Sequence, residues 1–326
     1  MNLEGGQVLN LESESALDAR SASSHESRPG LLRKYWTLLR IKISLGYFFP
    51  LALGFTIAAG ANPDIAWWKI PVGFLAYFCA SFFASTMNFY ADVAADREFG
   101  GKFKDMDLKE QPFVAGQMGR LETWMALGVS LAACIGLSLA VNYRFAIFII
   151  GFALVVGLLY SHPWFRLKAK PVTDILVNVS AMGFTLLAGL SLSTHTLPPV
   201  LFLIWGGLFV TVMYIPTVVN DVPFDEAAGY KTSGVFFGAS RLLYAMIPLA
   251  VAMIPLGILV AMNSSAAWQY RWVAAIGTPL TLAGTAVILY LWRPPRIELD
   301  PNIVLVPMDL LIVALVIYGI VLVVRG

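Results

Sequence analysis

Charge is scarce in this chain. Only 13% of its 326 residues are Asp, Glu, Lys or Arg, against about 25% in a soluble domain. With 58% hydrophobic residues and a mean hydropathy of +0.74, a water-soluble globule is excluded. Cysteine is equally sparse: Cys79 and Cys134 both sit inside apolar runs, which supports neither a disulfide framework nor a zinc site. His25, His162 and His195 share no metal-ligand spacing and read as loop residues. The first 27 residues hold no apolar core of the length a cleavable signal peptide needs. They are rich in Ser and Glu and read as disordered. The net charge of +2 decides little, because the distribution of charge matters more; no nucleic-acid partner and no obligatory protein partner are expected.

What the chain has in abundance is long apolar runs. Nine approach or exceed the length needed to cross a hydrocarbon core of about 30 Å: about 41–60, 67–91, 122–141, 144–161, 173–193, 198–220, 241–262, 271–292 and 303–324. Of 22 Lys and Arg residues, all but Lys69, Arg144, Arg271 and Arg325 fall on the side of the N-terminus. The excess of basic residues on one side puts that side in the cytoplasm. The expectation is an all-α integral membrane protein: a cytoplasmic tail over 1–34, then nine transmembrane helices over 35–326 with the C-terminus on the opposite side. Asp92 and Asp225 end the second and sixth runs, and Tyr160–Arg166 and Tyr290–Arg296 follow the fourth and eighth. Two four-helix repeats plus one final helix would explain both correspondences, with a site where the repeats meet.

The acidic residues carry the chemistry. Asn88, Asp92 and Asp96 stand at i, i+4 and i+8; on a helix these positions share one stripe that drifts about 40° per step over roughly 12 Å. Two carboxylates ~6 Å apart repel by roughly 3 kcal/mol at an effective dielectric of ~20, so a cation is the natural third party. Asp221 and Asp225 repeat the i+4 spacing at the end of another run. Carboxylates near a bilayer are costly unless paired, hydrated or metal-bound. Four of them suit Mg²⁺ that shares its positions with phosphate oxygens. Lys102, Lys104, Lys109, Lys168 and Lys231 stand in the adjacent loops and can balance the phosphate charge. The pattern describes a diphosphate at a membrane surface, above an apolar bundle that accepts a hydrocarbon tail. Asp174 and Asn178, four apart at the start of the fifth run, can face the same cavity, and Asp174 reads as one half of a loop ion pair with Lys168 or Lys170.

These residues resemble the UbiA superfamily of intramembrane prenyltransferases. Asn88-xxx-Asp92-xxx-Asp96 is similar to its first aspartate motif, and Gln111-Pro112-Phe113-Val114-Ala115-Gly116 to the R-P-x-x-x-G that follows. Tyr160-Ser161-His162-Pro163-Trp164-Phe165-Arg166-Leu167-Lys168 resembles its Y-S-x-P-x-R-L-K loop, and Asp221-xxx-Asp225-xxx-Gly229-xx-Thr232 its second aspartate motif. The resemblance covers residues 35–326. It implies a central cavity capped by cytoplasmic loops, with Asn88, Asp92, Asp96, Asp221 and Asp225 binding a prenyl diphosphate through Mg²⁺. Tyr160, Ser161, Arg166 and Lys168 become lining residues of the capping loop, joined by Lys231. The chain departs from the pattern at Gln111, where the family usually has Arg, so one diphosphate contact is expected to be lost or supplied by Lys109. Phe89 also stands where Asp often follows the motif asparagine, and the 97–110 segment is longer and more charged than expected.

The reaction expected is electrophilic alkylation. An allylic cation forms as diphosphate departs and is attacked by a hydrophobic acceptor, aromatic or lipid-like, held in the membrane. Phe89, Tyr90, Tyr160, Tyr214 and Phe224 are candidates to stabilise the cation through their ring faces. A terpene cyclase acting on the prenyl diphosphate alone is the alternative. An ion-coupled transporter fits less well, because the acidic residues sit at helix ends.

Overall fold

The structure is a computed structural model and describes residues 31–62, 64–104, 111–193 and 198–292. The expected tail up to residue 30, Lys109 and the rest of 105–110, Arg293, Arg296 and the ninth apolar run lie outside the described residues. All regular structure among the described residues is helical.

A short helix, α1 (Leu31–Leu39), precedes the first long one, so helix begins four residues before the boundary expected at 35. It is two-sided: Leu38 is fully buried while Trp36 is exposed. The chain then breaks at Arg40, which has a left-handed backbone (φ 44°), and re-enters helix as α2 (Ile41–Ala61). α3 (Lys69–Ala95) follows. Its 27 residues span about 40 Å at 1.5 Å per residue, more than the thickness of a bilayer core. A π-helical turn (Asp96–Gly100) and a short piece (Gly101–Phe103) extend it.

α4 (Arg120–Val141) and α5 (Tyr143–Phe152) are separated by Asn142, whose side chain caps α5 by accepting from Phe145 N at 2.8 Å. π winding over Ala153–Leu159 prolongs α5, and α6 (Thr173–Leu190) and α7 (Val200–Asn220) follow. After Asp221 the chain restarts as α8 (Val222–Ala227) with Pro223 in its first turn, where proline's missing N–H costs nothing. Gly229 (φ 71°) turns the chain out of α8, a conformation that favours glycine. α9 (Ser233–Phe237), α10 (Ala239–Met262) and α11 (Trp268–Leu291) complete the described chain.

Seven helices are long and apolar enough to cross a membrane, and Tyr143–Leu159 forms a shorter apolar one. The chain is thus a multi-pass membrane protein by length and composition of its helices. Two apolar cores divide it. One joins side chains of α2 to α6, with Tyr77, Phe145 and Phe152 fully buried. The other joins α6, α7, α10 and α11 around Trp205, Met246 and Tyr270. Leu53 and Ile57 of α2 reach into this second core as well, so α2 and α6 serve both, and they cross in contact: a Cβ on Gly54 would stand 2.5 Å from Leu186 O and 2.8 Å from Leu190 N. Only glycine lets these backbones touch, the usual device between membrane helices.

Candidate active site

α2, α3, α5, α6 and α7 enclose a cavity of about 420 Å³. Asn88 and Asp92 reach its wall from the C-terminal end of α3, and Asp221 and Asp225 from the end of α7 and from α8. The two acidic motifs therefore meet in one space. Tyr160 and Lys168 also line it, while Phe152, Val156, Met182, Val210 and Met213 form an apolar part.

Each motif residue is held by named partners. Asn88 Oδ1 accepts from Arg40 Nη1 at 3.1 Å, and its Nδ2 donates to the buried Ser161 Oγ at 3.2 Å. Asp92 Oδ2 forms an ion pair with Lys168, and Arg166 Nη2 stands 3.8 Å from Asp92 Oδ1. Arg166, like Arg40, has a left-handed backbone (φ 41°), an uncommon state that clusters at functional sites. Its guanidinium lies 4.5 Å from the Tyr230 ring centre and donates to that tyrosine's hydroxyl. The capping loop is tied to the second motif's loop by Lys231 N donating to Ala169 O at 3.2 Å. Asp225 Oδ2 accepts from Thr232 Oγ1 at 2.9 Å. Burial, reinforced by the neighbouring Asp221 charge, raises the Asp225 carboxyl to about 7. Burial also raises Asp221, against the pull of Lys104, Arg40 and Lys168. Lys168 is pushed down by burial, and Asp92 opposes that shift.

Several expectations need correction. Asp96 does not line the cavity with Asn88 and Asp92. The helix widens into π winding from Asp96 onward, and its Oδ2 turns to Gln111 Nε2 at 3.3 Å. Gln111, 2% exposed, also donates to Phe89 O at 3.3 Å and accepts from Val114 N at 2.6 Å. It is a structural pin between the 111–116 turn and α3. Lys231 is exposed and does not line the cavity; its backbone makes the useful bond. Among the described residues Asp174 pairs with no lysine: its carboxylate accepts from Ser233 Oγ, Ser233 N and Ile175 N at 2.6, 2.8 and 2.9 Å. Among the aromatic candidates, Tyr160, Tyr214 and Phe224 line the cavity, the two tyrosine hydroxyls 3.1 Å apart. Phe89 lies under Arg40 at 4.9 Å, the Phe224 face is covered by Lys104 Nζ at 3.7 Å, and Tyr90 is exposed.

Arg40 and Lys104 line the cavity and belong to the site, although flank charge alone marked them only as orientation signals or loop bases. Tyr47 and Asn178, hydrogen-bonded to each other, also line it.

The donor set fits a divalent cation and an anion together. Among the described residues Asp92 Oδ1 and Asp96 Oδ1 are buried acceptors without a hydrogen-bond partner, and Arg166 Nε is a buried donor without one. Such atoms are costly to leave unpaired. Among the described residues no three His, Cys, Asp or Glu side chains converge closely enough to hold a metal by themselves. A divalent cation there would complete its shell with further oxygens, of which water and a diphosphate are both suitable donors.

Comparison with known proteins gives a consistent result. The sequence pattern of the UbiA prenyltransferase family matches residues 47–302. A UbiA homolog from Archaeoglobus fulgidus bound to DMAPP and Mg²⁺ superposes with a TM-score of 0.79 at 29% identity, over 88% of this chain and 98% of that one. The same homolog bound to GPP and Mg²⁺ gives 0.76 at 27%, with the same coverage. A rice (Oryza sativa subsp. japonica) protein named probable homogentisate phytyltransferase 2, chloroplastic, is 28% identical over 207 residues, 59% of this chain and 52% of its own length. The hop (Humulus lupulus) 2-acyl-4-prenylphloroglucinol 6-prenyltransferase is 26% identical over 200 residues, 56% of this chain and 46% of its own. The chain spans about half the length of these curated relatives.

Proposed function

The chain belongs to the UbiA prenyltransferase family, and on that premise we propose that it transfers the prenyl group of a prenyl diphosphate to a hydrophobic acceptor within the membrane. The observation that carries this reading is the meeting of two acidic motifs with Lys168, Lys104 and Arg40 on one cavity that continues into apolar walls. The archaeal homolog is described with DMAPP or GPP and Mg²⁺. The plant relatives carry phenolic acceptors in their names, which supports an aromatic acceptor over a lipid-like one.

In this reading Asp92, Asp221 and Asp225, with Asn88 beside them, would hold Mg²⁺ through the substrate's diphosphate, and Asp96, set back on Gln111, would support Asp92 from behind. The bound Mg²⁺ supplies neutralisation of the charge that builds on the departing diphosphate. Lys168, Arg166, Arg40 and Lys104 add fixed positive charge around the same oxygens, where preorganised donors act most strongly. Asn88 and Ser161 orient Arg40 and the capping loop through their shared hydrogen bond. As the C1–O bond loosens, the Tyr160 and Tyr214 rings lie along the cavity wall to face the allylic cation. The acceptor attacks C1 and then loses a proton, which restores its ring. Apolar walls keep water from intercepting the cation.

The membrane arrangement follows the same proposal. Eight described helices and the 303–324 run make nine crossings, in two four-helix units plus one. The site loops and N-terminus face the cytoplasm and the C-terminus lies opposite. Four carboxylates at helix ends rather than at the bilayer midplane argue against a coupled transporter.

The test is incubation of the purified chain in lipid with labelled prenyl diphosphates of several lengths, with and without a lipid extract. Transfer predicts labelled product only when the extract is present. Product from the prenyl diphosphate alone would identify a cyclase, and Mg²⁺-independent turnover would overturn the mechanism.

A further inference from the structure

Asp174 has no part in the transfer as described, yet it is only 3% exposed. A buried carboxylate is costly unless hydrogen-bonded, so its partners reveal what it is kept for. All of its distant bonds go to one residue. Ser233 N donates to Asp174 Oδ2 at 2.8 Å and Ser233 Oγ to Asp174 Oδ1 at 2.6 Å. Ser233 is fully buried and lies 59 positions away in the chain. Holding both the N–H and the O–H of one residue fixes that residue's rotation as well as its place.

Two further contacts tighten the grip. Val172 N donates to Ser233 Oγ at 2.7 Å, although Val172 has φ 69°, a costly state for a β-branched residue. Such a conformation persists only where its surroundings over-determine it. On the other flank Gly234 is pressed onto α7, where a Cβ would stand 2.9 Å from Val218 O. Between these anchors lies Thr232, one peptide before Ser233, and its hydroxyl donates to Asp225 Oδ2 at 2.9 Å.

We propose that Asp174 is a positioning residue: through Ser233 it holds Thr232 against Asp225, and so sets the direction from which the second aspartate motif meets its ligand. The inference rests on the reading of Asp225 as a ligand of the Mg²⁺–prenyl diphosphate complex. It adds a carboxylate to the machinery, one that borders the same cavity but whose oxygens are taken up by Ser233 and Ile175. It also couples the fifth membrane run to the loop after the second motif.

The test is a double-mutant cycle on the full chain in detergent or nanodiscs, read as equilibrium binding of a prenyl thiodiphosphate across a Mg²⁺ titration. Thr232→Val removes the hydroxyl while keeping the shape, and Asp174→Asn loosens the grip on Ser233. Each is expected to weaken binding roughly tenfold, the scale of a lost hydrogen bond to a charged group. The double variant should lose no more than either single one, since both act through the same bond. Additive losses, roughly a hundredfold in the double variant, would overturn the proposal; so would unchanged affinity in Asp174→Asn. If Asp174→Asn does not fold, Ser233→Ala takes its place in the cycle with the same two outcomes. A wild-type chain that binds no Mg²⁺–prenyl thiodiphosphate overturns the proposed function as well. Wild-type binding with additive losses overturns the positioning role alone.

Discussion

The two acidic motifs share a spacing but differ in how their charge is held. At the first, Asp92 is matched by Lys168, with Arg166 nearby, and Asn88 is bonded by Arg40. At the second, among the described residues, no cation forms an ion pair with Asp221 or Asp225; Asp225 is held by the neutral hydroxyl of Thr232. The electrostatic consequence is visible where burial and Asp221 together raise Asp225 to about 7. One side of the cavity arrives already balanced, and the other is left in want of a cation. Two patches equal in sequence are thus unequal in chemistry: the first motif organises basic residues that can face an anion, and the second is the readier seat for a metal.

The largest expected effects come from removing the carboxylates. Asp92→Asn and Asp225→Asn should each lower prenyl transfer by about three orders of magnitude, the scale of losing a preorganised charge at the reacting group. Stability separates them. Asp92→Asn leaves Lys168 buried beside a neutral group, and breaking such a pair costs roughly 3–5 kcal/mol. Asp225→Asn removes a carboxyl that burial already disfavours, so the ligand-free protein at pH 8 should melt no lower than wild type. Equal destabilisation of both variants in thermal unfolding would erase the contrast.

The next effect is on pH. A carboxyl raised from about 4 to about 7 destabilises the ligand-free fold when ionised. That loss is absent below about 4, builds as pH rises toward 7 and is complete above it. Ligand-free stability from this group therefore increases as pH falls from 7 to 4. Cation binding runs the other way, because the proton competes for Asp225. Affinity for Mg²⁺–prenyl diphosphate should fall by up to about tenfold per unit below pH 7. In Asp225→Asn the part of that slope due to this group should vanish. A slope unchanged by the substitution would show that Asp225 is not the group that titrates.

Much of this was legible from residues alone, for reasons that also mark the limit. Apolar runs report helices because a bilayer leaves the backbone no other partner, and α3, α4, α6, α7, α10 and α11 fall where those runs do. Asn88 and Asp92 reach the cavity together because i, i+4 geometry is local. What failed was non-local. Asp174 stands near two lysines in sequence, but its partner comes from the loop after α7. Arg40 looked like one more flanking charge, since nothing in the continuous Leu31–Ile43 stretch announces the left-handed break that aims it inward. Gln111 read as a lost anion contact, whereas the fold uses it to hold Asp96.

That pin gives a smaller test. Gln111→Ala frees Asp96 Oδ2 and loosens the 111–116 turn, but the bond is neutral on one side and long at 3.3 Å. A typical hydrogen bond contributes only about 1 kcal/mol net, so a few-fold rise in the Mg²⁺ needed for half-maximal turnover is expected. A loss as deep as that of Asp92→Asn would mean that Gln111 contacts substrate.

The smallest effect separates the two lysines that sequence treated alike. Lys168 and Lys231 both flank an apolar run beside a motif, and charge alone gives no reason to prefer one. The fold does: Lys168 is buried on Asp92, while the Lys231 side chain is exposed and only its N–H, bonded to Ala169 O, is used. Alanine keeps that N–H, so Lys231→Ala should preserve the tie between the capping loop and the second motif. Exposed charges are screened by water and salt, so kcat/KM should stay within about twofold of wild type. Lys231→Pro, which deletes the N–H and restricts the preceding residue, should lower it well beyond that. A large loss in Lys231→Ala would instead mean that the ammonium folds inward over bound diphosphate, and the second motif would then carry a cation of its own.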